Sequence, residues 1–324
     1  MPSETDSEPG APEESLSTVL VALAANLLVV AAKFAAGLAG QSSALMSEGA
    51  HSIADSFNEV MLFVAIKRGN RPADRDHPFG YGKERFFYAL LAAVGIFVAG
   101  AGFSVIEGVL TILRPESDTQ GGSGYFTIKY AVLGGSFLLE AISLGRSVVQ
   151  LRGEARPRRR SVLEHWRKTV DPTVKTVAVE DTAAIVGLVL AFGGVAVHQV
   201  TGSSLPDAAA SLAIGALLVV VAVILIRADK DLLIGQGAQP EVRQAIIALI
   251  ESRPEVTMVV DLMTEVLGPR ELLVAARVDI ANDLSGAQVE EVSTRLDEEL
   301  HQAFPSITQV FIDATRAEVR PRPA

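Results

Sequence analysis

The sequence predicts an α-helical membrane protein with six transmembrane helices and cytoplasmic N- and C-termini, followed by a small α+β domain. Its mean hydropathy of +0.34 is higher than soluble domains usually reach, because so much apolar surface would face water. Its apolar residues also fall in segments of about 20 residues, the length that crosses a bilayer core. After residue 236 the composition becomes that of a soluble domain.

Composition excludes several classes of protein and site. The chain has no Cys, which excludes disulfide frameworks, thiolate metal sites and cysteine nucleophiles and leaves metal binding to His, Asp and Glu. The net charge of -10 argues against a nucleic-acid partner, because such a protein needs cationic side chains to replace the counterions of phosphate.

The first 235 residues divide into a tail and a membrane domain. Residues 1–15 are acidic and lack the apolar core of a signal peptide, so we expect a disordered tail there and a membrane domain over 16–235. The absence of a presequence favours a bacterial plasma membrane. The predicted spans are 18–38, 44–66, 86–113, 127–150, 174–198 and 206–227.

The distribution of Lys and Arg among the loops predicts the orientation. Basic residues cluster in the loops after the second and fourth spans, whereas the turns at 39–43 and 199–205 have none. Cytoplasmic loops carry this excess, so both termini should be cytoplasmic. The Arg-rich run at 156–160 could also bind nucleic acid or anionic lipid, but the orientation already explains it.

Residues 236–316 predict an α-β-β-α-β, ferredoxin-like domain, with a tail at 317–324. Pro240 and Ser285 begin two amphipathic helical patterns, and Gly268 lies between two β-rich runs. A domain of about 80 residues buries a limited fraction of its surface, so we expect it to pair with a second copy in a homodimer.

Ionisable residues form a stripe in the second span. Glu48, His51, Asp55 and Glu59 are spaced by three, four and four residues, which places them on one helix face. Charged residues are costly inside a bilayer, so this face should look into the helix bundle. His51 and Asp55 can converge on one ion at about 2.0 to 2.2 Å, the distance typical of Zn²⁺.

A purely structural role is the alternative. These groups could hydrogen-bond to one another or to Ser47, Ser52 and Asn58 and hold helices together. We expect Asn26, Glu107 and Glu140 to form interhelical hydrogen bonds, and Lys33 to extend to the membrane surface.

The fifth span carries an acidic pair, Glu180 and Asp181. Neighbouring residues point about 100° apart on a helix, so at most one of them can reach the ion near His51 and Asp55. The other should face an aqueous cavity or a basic partner.

Three segments resemble the cation diffusion facilitator family. The run ANLLVVAAKFAAGLAGQSSALMSEGAHSIADSFNEV is similar to its first two helices, HPFGYGKERF to the cytoplasmic signature that follows, and PDAAASLAIGALLVVVAVILIRADKDLLIG to its sixth helix. The segment DPTVKTVAVEDTAAIVG resembles the zinc transporter nine-like branch. The resemblance covers nearly the whole chain after residue 15.

The resemblance implies a homodimeric efflux carrier that exchanges a divalent cation, usually Zn²⁺, for protons and needs no cofactor besides the transported ion. The family's site takes ligands from the second and fifth helices, here His51, Asp55 and Asp181. The family's usual fifth-helix His falls on Val177, which cannot bind metal, so Glu180, Glu48 or water should complete the shell.

Other family sites are reduced here. The loop site would use Asp74 and the position of Tyr81, with Asp76 or His77 as remaining candidates. The family's cytoplasmic-domain site falls on Val260, Arg277 and Asp313, with Asp261 as a further acidic residue nearby. Because these positions offer too few ligands, the resemblance predicts no structural metal cluster there. Dimerisation should then depend on the burial of apolar surface.

Several functions stay open on the sequence. The oxygen-rich ligand set also suits Mn²⁺, Fe²⁺ or Co²⁺. A membrane-embedded metal-dependent hydrolase could use Glu48 or Glu180 as its base, although no His-Glu-x-x-His helix or nucleophile elbow is present. A metal sensor that signals through the cytoplasmic domain is a third possibility.

Overall fold

The structure, a computed structural model, describes residues 16–114, 123–156, 161–169 and 171–316. The two predicted tails, 1–15 and 317–324, and part of the Arg-rich run lie outside these residues.

Long helices occupy the predicted apolar segments. They are α1 (Leu16–Ala39), α2 (Ser43–Gly69), α3 and α4 (Glu84–Gly95 and Phe103–Leu113), α5 (Ser123–Ala155), α7 (Pro172–Thr201) and α8 (Leu205–Ile234), with the short α6 (Val162–Lys168) between α5 and α7 in sequence. Four stretches within the described residues are long and apolar enough to cross a membrane: 84–113, 126–153, 174–201 and 205–234. The chain therefore has a helical transmembrane domain, and the full set of six spans stays a prediction.

The predicted third span is interrupted. A π-helical segment, Ile96–Gly102, separates α3 from α4. Gly100 within it packs closely, since a Cβ there would lie 3.0 Å from Leu218 Cδ1 and 3.6 Å from Ala54 Cβ. Periodicity alone does not reveal such a local change of helix type, which is rare and often found near functional positions.

The chain forms two compact units, each made of three stretches. Counted over the described residues alone, the first unit lies within 16–60, 92–146 and 179–222 and includes the predicted ionisable stripe. The second lies within 61–91, 147–178 and 223–316 and includes the loop after α2 and the C-terminal domain.

The C-terminal domain has the predicted order of elements: α9 (Pro240–Glu251), β1 (Val256–Gly268), β2 (Glu271–Ile280), α10 (Gly286–Ala303) and β3 (Ile307–Ala314). The three strands form one sheet in the order β1-β2-β3. β1 and β2 pair as an antiparallel hairpin, and β2 and β3 are parallel, with α10 as the connection between them.

One face of this sheet packs on both helices. Alternate residues of β2 are buried against a core that includes Ile250 of α9 and Leu300 of α10. Pro240 begins α9, and Ser285 forms a capping box with Gln288 at the start of α10, as the sequence predicts.

Candidate functional site

The ionisable stripe on α2 is largely buried in the first unit. Glu48 and His51 are 0% and 2% exposed, and Asp55 is partly buried. Glu59 is exposed and accepts a hydrogen bond of 2.7 Å from Asn26 of α1, which confirms the interhelical role predicted for Asn26. The face therefore looks inward over its first two turns and opens toward Glu59.

His51 and Asp55 form the closest pair of predicted ligands. His51 Nε2 lies 3.4 Å from Asp55 Oδ1, as expected for side chains one helical turn apart. The spacing therefore brings an imidazole nitrogen and a carboxylate together, the combination that borderline metals such as Zn²⁺ bind.

The acidic pair of α7 diverges, as the sequence predicts. Both side chains are buried, each 8% exposed. Asn58 Nδ2 of α2 donates to Glu180 Oε2, and Ser143 Oγ of α5 donates to Asp181 Oδ1 at 3.1 Å. Glu180 is thus the neighbour whose carboxylate contacts the polar face of α2, and Asp181 contacts a serine hydroxyl where we expected water or a basic group.

α7 passes close to α2 at Gly187. A Cβ at this position would lie 2.5 Å from Glu48 Oε1 and 3.8 Å from His51 Nδ1. The first distance is shorter than real Cβ contacts allow, so a larger residue here would displace the Glu48 carboxylate. Sequence reasoning missed Gly187, because a helical glycine gives no sign of what it faces.

Lys33 does not extend to the membrane surface, so that expectation was wrong. Its side chain is buried, with Nζ 3.1 Å from Glu48 Oε2 and 2.8 Å from Ser52 Oγ. A carboxylate and a hydroxyl on the facing helix satisfy the ammonium better than a path to the headgroups, because both partners are within reach.

Four buried oxygens near the contact of α2 with α7 accept no hydrogen bond. They are Glu48 Oε1, Asp55 Oδ1, Asn58 Oδ1 and Glu180 Oε1. Buried acceptors normally have a donor, so such oxygens mark places where a cation, a proton or water completes the structure. Their chemistry suits a hard or borderline cation.

The five predicted ligands do not share one shell. In the described stretches from 16 to 316, no three His, Asp or Glu side chains are close enough to hold one ion. His51 contacts Asp55, and the remaining three each have another partner: Lys33 for Glu48, Asn58 for Glu180 and Ser143 for Asp181. The ligand set therefore stays a prediction.

Asp207 of α8 anchors the start of α2. Its carboxylate accepts hydrogen bonds from Ser42 Oγ at 3.0 Å, Ser43 Oγ at 3.3 Å and the backbone N–H of Ala44 at 3.4 Å. The first N–H groups of a helix have no partner within it, so a carboxylate here both caps the helix and complements its dipole. One turn further, Ser47 and Ser211 are 2.6 Å apart through their hydroxyls.

The loop after α2, in the second unit, is held by Asp74. Tyr81 donates its hydroxyl to Asp74 Oδ2 at 2.7 Å, and the Arg71 guanidinium lies 4.4 Å from the Tyr81 ring centre. The Tyr81 hydroxyl and then the His77 backbone N–H keep the pKa of Asp74 below its ordinary value. A tyrosine therefore bonds the carboxylate where the family resemblance implied a metal ligand.

The strands of the C-terminal domain place Asp261, Arg277 and Asp313 opposite one another in register. Arg277 Nε lies 3.2 Å from Asp313 Oδ2, and both side chains are exposed. The remnants of the implied cytoplasmic metal site therefore include an arginine paired with one of the two candidate acids.

Two family models match the chain. The model described as the cation efflux transmembrane domain matches residues 19–234, and that described as the cation efflux protein, cytoplasmic domain, matches 238–314.

Several curated proteins are similar. The proton-coupled zinc antiporter SLC30A9, mitochondrial, of Homo sapiens is 32% identical over 81% of this chain and 45% of its own length. Metal tolerance protein C4 of Arabidopsis thaliana is 31% identical over 82% of this chain and 57% of its own length. The manganese efflux system protein MneP of Bacillus subtilis is 26% identical over 92% of this chain and 95% of its own length. The chain thus spans about half the length of the first two relatives.

Proposed function

Since the chain belongs to the cation efflux family, we propose that it exports a divalent cation, Zn²⁺ in the first place, in exchange for protons. Members of this family are transporters, so the chain is not an enzyme, and the hydrolase alternative is wrong. The resemblance to the cation diffusion facilitators and to their zinc transporter nine-like branch is confirmed by the matches.

The observation that carries this proposal is the buried polar contact between α2 and α7. It contains an imidazole, carboxylates on both helices and oxygens that accept no hydrogen bond. A protein interior tolerates such a group of acceptors at high cost unless a positive ion or protons share it. An ion carrier provides both in turn.

His51 and Asp55 are the proposed ligands on α2, and one carboxylate of α7 joins them, Asp181 in the first place and Glu180 as the alternative, with water as the fourth ligand. Two carboxylates and a neutral imidazole offset the charge of a divalent ion away from bulk water. Binding would draw Asp181 from Ser143, or Glu180 from Asn58, toward the pair on α2. Because the α7 carboxylate would give up its hydrogen bond to bind the ion, ion binding can drive a movement of α7.

Proton exchange follows from the chemistry of the ligands. Imidazole and carboxylate bind a metal only when they are deprotonated, so ion and protons compete for the same atoms. On the outer side, release of the metal is then coupled to uptake of protons by the ligands. On the cytoplasmic side, release of those protons is coupled to binding of the next metal ion.

The identity of the ion rests on the ligand set and the names of the relatives. One relative is named for zinc antiport and another for manganese efflux. His51 favours Zn²⁺, whereas Val177 removes a second imidazole and shifts the set toward oxygen, which Mn²⁺ and Fe²⁺ accept well. We place Zn²⁺ first because it tolerates mixed nitrogen and oxygen ligands.

We also propose the assembly and the topology. Six spans with cytoplasmic termini agree with the basic loops and the six long helical segments. The match of residues 238–314 to the cation efflux cytoplasmic domain, a family model named ZT_dimer, supports a homodimer formed through residues 236–316. For the membrane we propose a bacterial plasma membrane: one relative is bacterial and aligns over 92% of this chain, whereas another is named as mitochondrial.

Metal flux into proteoliposomes tests the function. Zn²⁺ uptake by the purified chain should be accompanied by proton movement in the opposite direction and accelerated by an outward proton gradient, and Asp55→Asn and Asp181→Asn should each abolish this flux. Glu107→Gln, which removes a carboxylate on α4 outside the proposed ligands, is the control and should retain it. Wild-type flux in both aspartate variants would refute the site, and no flux in the wild type would refute the function.

A further inference from the structure

We infer that Lys33 is a fixed internal cation that occupies Glu48 and keeps this glutamate out of the coordination shell of the transported ion. The inference rests on the proposed transport of a divalent cation. It assigns a positioning role to a residue of α1, whereas the proposed ligands lie on α2 and α7.

The burial of Lys33 is the first observation. Its residue is 1% exposed, and Glu48 and Ser52 are also buried. Nζ contacts both, at 3.1 Å to Glu48 Oε2 and 2.8 Å to Ser52 Oγ. A buried ammonium requires an opposite charge, and removal of one partner from such a pair leaves the other charge uncompensated at high cost.

The position of Glu48 is the second observation. One turn before His51 on α2, its second oxygen, Oε1, is buried, accepts no hydrogen bond and lies beside Gly187. This carboxylate therefore borders the proposed site, and Lys33 offsets its charge through the other oxygen, Oε2.

Charge balance gives the pair its effect on transport. Asp55 and Asp181 already match the two positive charges of the ion, and His51 adds a neutral donor. A free Glu48 would add a third negative charge, which would hold the ion more tightly and slow its release. Lys33 cancels that charge, so the carrier binds loosely enough to release its cargo.

A purely structural tie between α1 and α2 is the competing explanation, and the hydrogen bond from Asn26 to Glu59 provides a matched control. It joins the same two helices but includes no buried charge. Loss of that tie should affect stability in the same sense, without a change in ion binding.

The test is a double-mutant cycle on the full chain. Zn²⁺ binding is measured by titration calorimetry in detergent, and Zn²⁺ flux is measured in proteoliposomes. Lys33→Met should bind Zn²⁺ on the order of tenfold more tightly, with a lower KM and a lower maximal rate, because it frees Glu48. Glu48→Gln should bind more weakly, because the ammonium is then uncompensated. The double variant, Lys33→Met with Glu48→Gln, should return to wild-type affinity, and Asn26→Ala should keep it.

Two results would overturn the inference. If the double variant binds Zn²⁺ as weakly as Glu48→Gln, then Glu48 is a ligand. If all variants keep the wild-type Kd and differ only in melting temperature, the pair is a structural tie. Where Lys33→Met fails to fold, the double variant and Lys33→Arg must both bind like the wild type. Zn²⁺ binding is measured separately from transport. A wild type that binds Zn²⁺ but shows no flux would therefore refute the proposed function, whereas the binding affinities of the four proteins would still test the role of Lys33.

Discussion

Asn58 donates its side-chain N–H to the carboxylate of Glu180 and thereby joins α2 to α7. Both residues are buried. Asn58 lies about one helical turn after Asp55 on α2, and Glu180 directly precedes Asp181 on α7. The contact connects the two helices that carry the proposed ligands, so its strength affects how easily α7 can move.

Loss of the amide donor should destabilise the protein. Asn58→Leu keeps the volume and leaves a buried carboxylate oxygen without its donor, which costs about 1 to 3 kcal/mol. Thermal unfolding in detergent measures the loss as a lower melting temperature. Asn26→Leu is the matched control, because water can replace its bond to the exposed Glu59. Equal melting temperatures for the Asn58 variant and the wild type would contradict the contact.

A single methyl group at position 187 should impair transport. In Gly187→Ala the new Cβ would meet Glu48 Oε1 at 2.5 Å, so the Glu48 carboxylate beside His51 must move from its position. We expect a flux reduced at least about tenfold, the scale on which small misplacements in a site act. Gly193→Ala on the same helix has no atom within 4 Å of its Cβ and should retain flux. Similar flux in the two variants would show that the close approach is unimportant.

Replacement of Val177 should change the preferred ion. Val177→His restores an imidazole, a ligand that favours Zn²⁺ over Mn²⁺. A competition assay with Zn²⁺, Mn²⁺, Co²⁺ and Fe²⁺ in proteoliposomes should show a shift toward Zn²⁺. Val179→His, two residues further on α7 and so on another face of the helix, serves as the control. An unchanged order of preference would mean that position 177 does not face the ion.

Asp207 should contribute strongly to stability. Asp207→Ala removes the acceptor for two serine hydroxyls and a helix N–H, so we expect a loss of about 2 kcal/mol. Asp231→Ala, on the same helix but exposed and paired only at the surface with Lys230, should change little. Thermal unfolding of both variants measures the two losses of stability. If Asp207→Ala lowers the melting temperature as little as Asp231→Ala, Asp207 has no capping role.

The loop after α2 should depend on pH through Asp74. Its pKa is lowered in the folded loop, so its contribution to stability is complete above the ordinary aspartate pKa and is lost as pH falls through the lowered value. Tyr81→Phe removes the hydroxyl donor and should raise the pKa of Asp74 toward its ordinary value. A ¹³C NMR titration of labelled aspartates measures this, and an unchanged pKa would rule out the hydrogen bond in solution.

The elements were predictable because they depend on local patterns. Apolar length located the helices, β-rich runs on either side of Gly268 located the hairpin strands, and Pro240 and Ser285 marked two helix starts that the structure has. The stripe from Glu48 to Asp55 was found for the same reason, since spacing fixes a helix face.

The partners across helices were not predictable, because spacing does not show which helix a face meets. Lys33 was expected at the surface and instead pairs with Glu48. The contact of Asn58 with Glu180 and the close approach at Gly187 depend on the rotation of α7 against α2, which periodicity leaves open. The π-helical segment was missed because its composition is that of an ordinary apolar helix.

The bond between Ser42 and Asp207 joins residues 165 positions apart in the chain. During synthesis the ribosome therefore completes the start of α2 long before it makes the aspartate that caps it. Until the last hydrophobic helix enters the bilayer, those hydroxyl and N–H groups depend on water or lipid headgroups. A chain truncated before residue 207 should accordingly be recognised by membrane quality control as unfinished, even though all proposed ion ligands are already present.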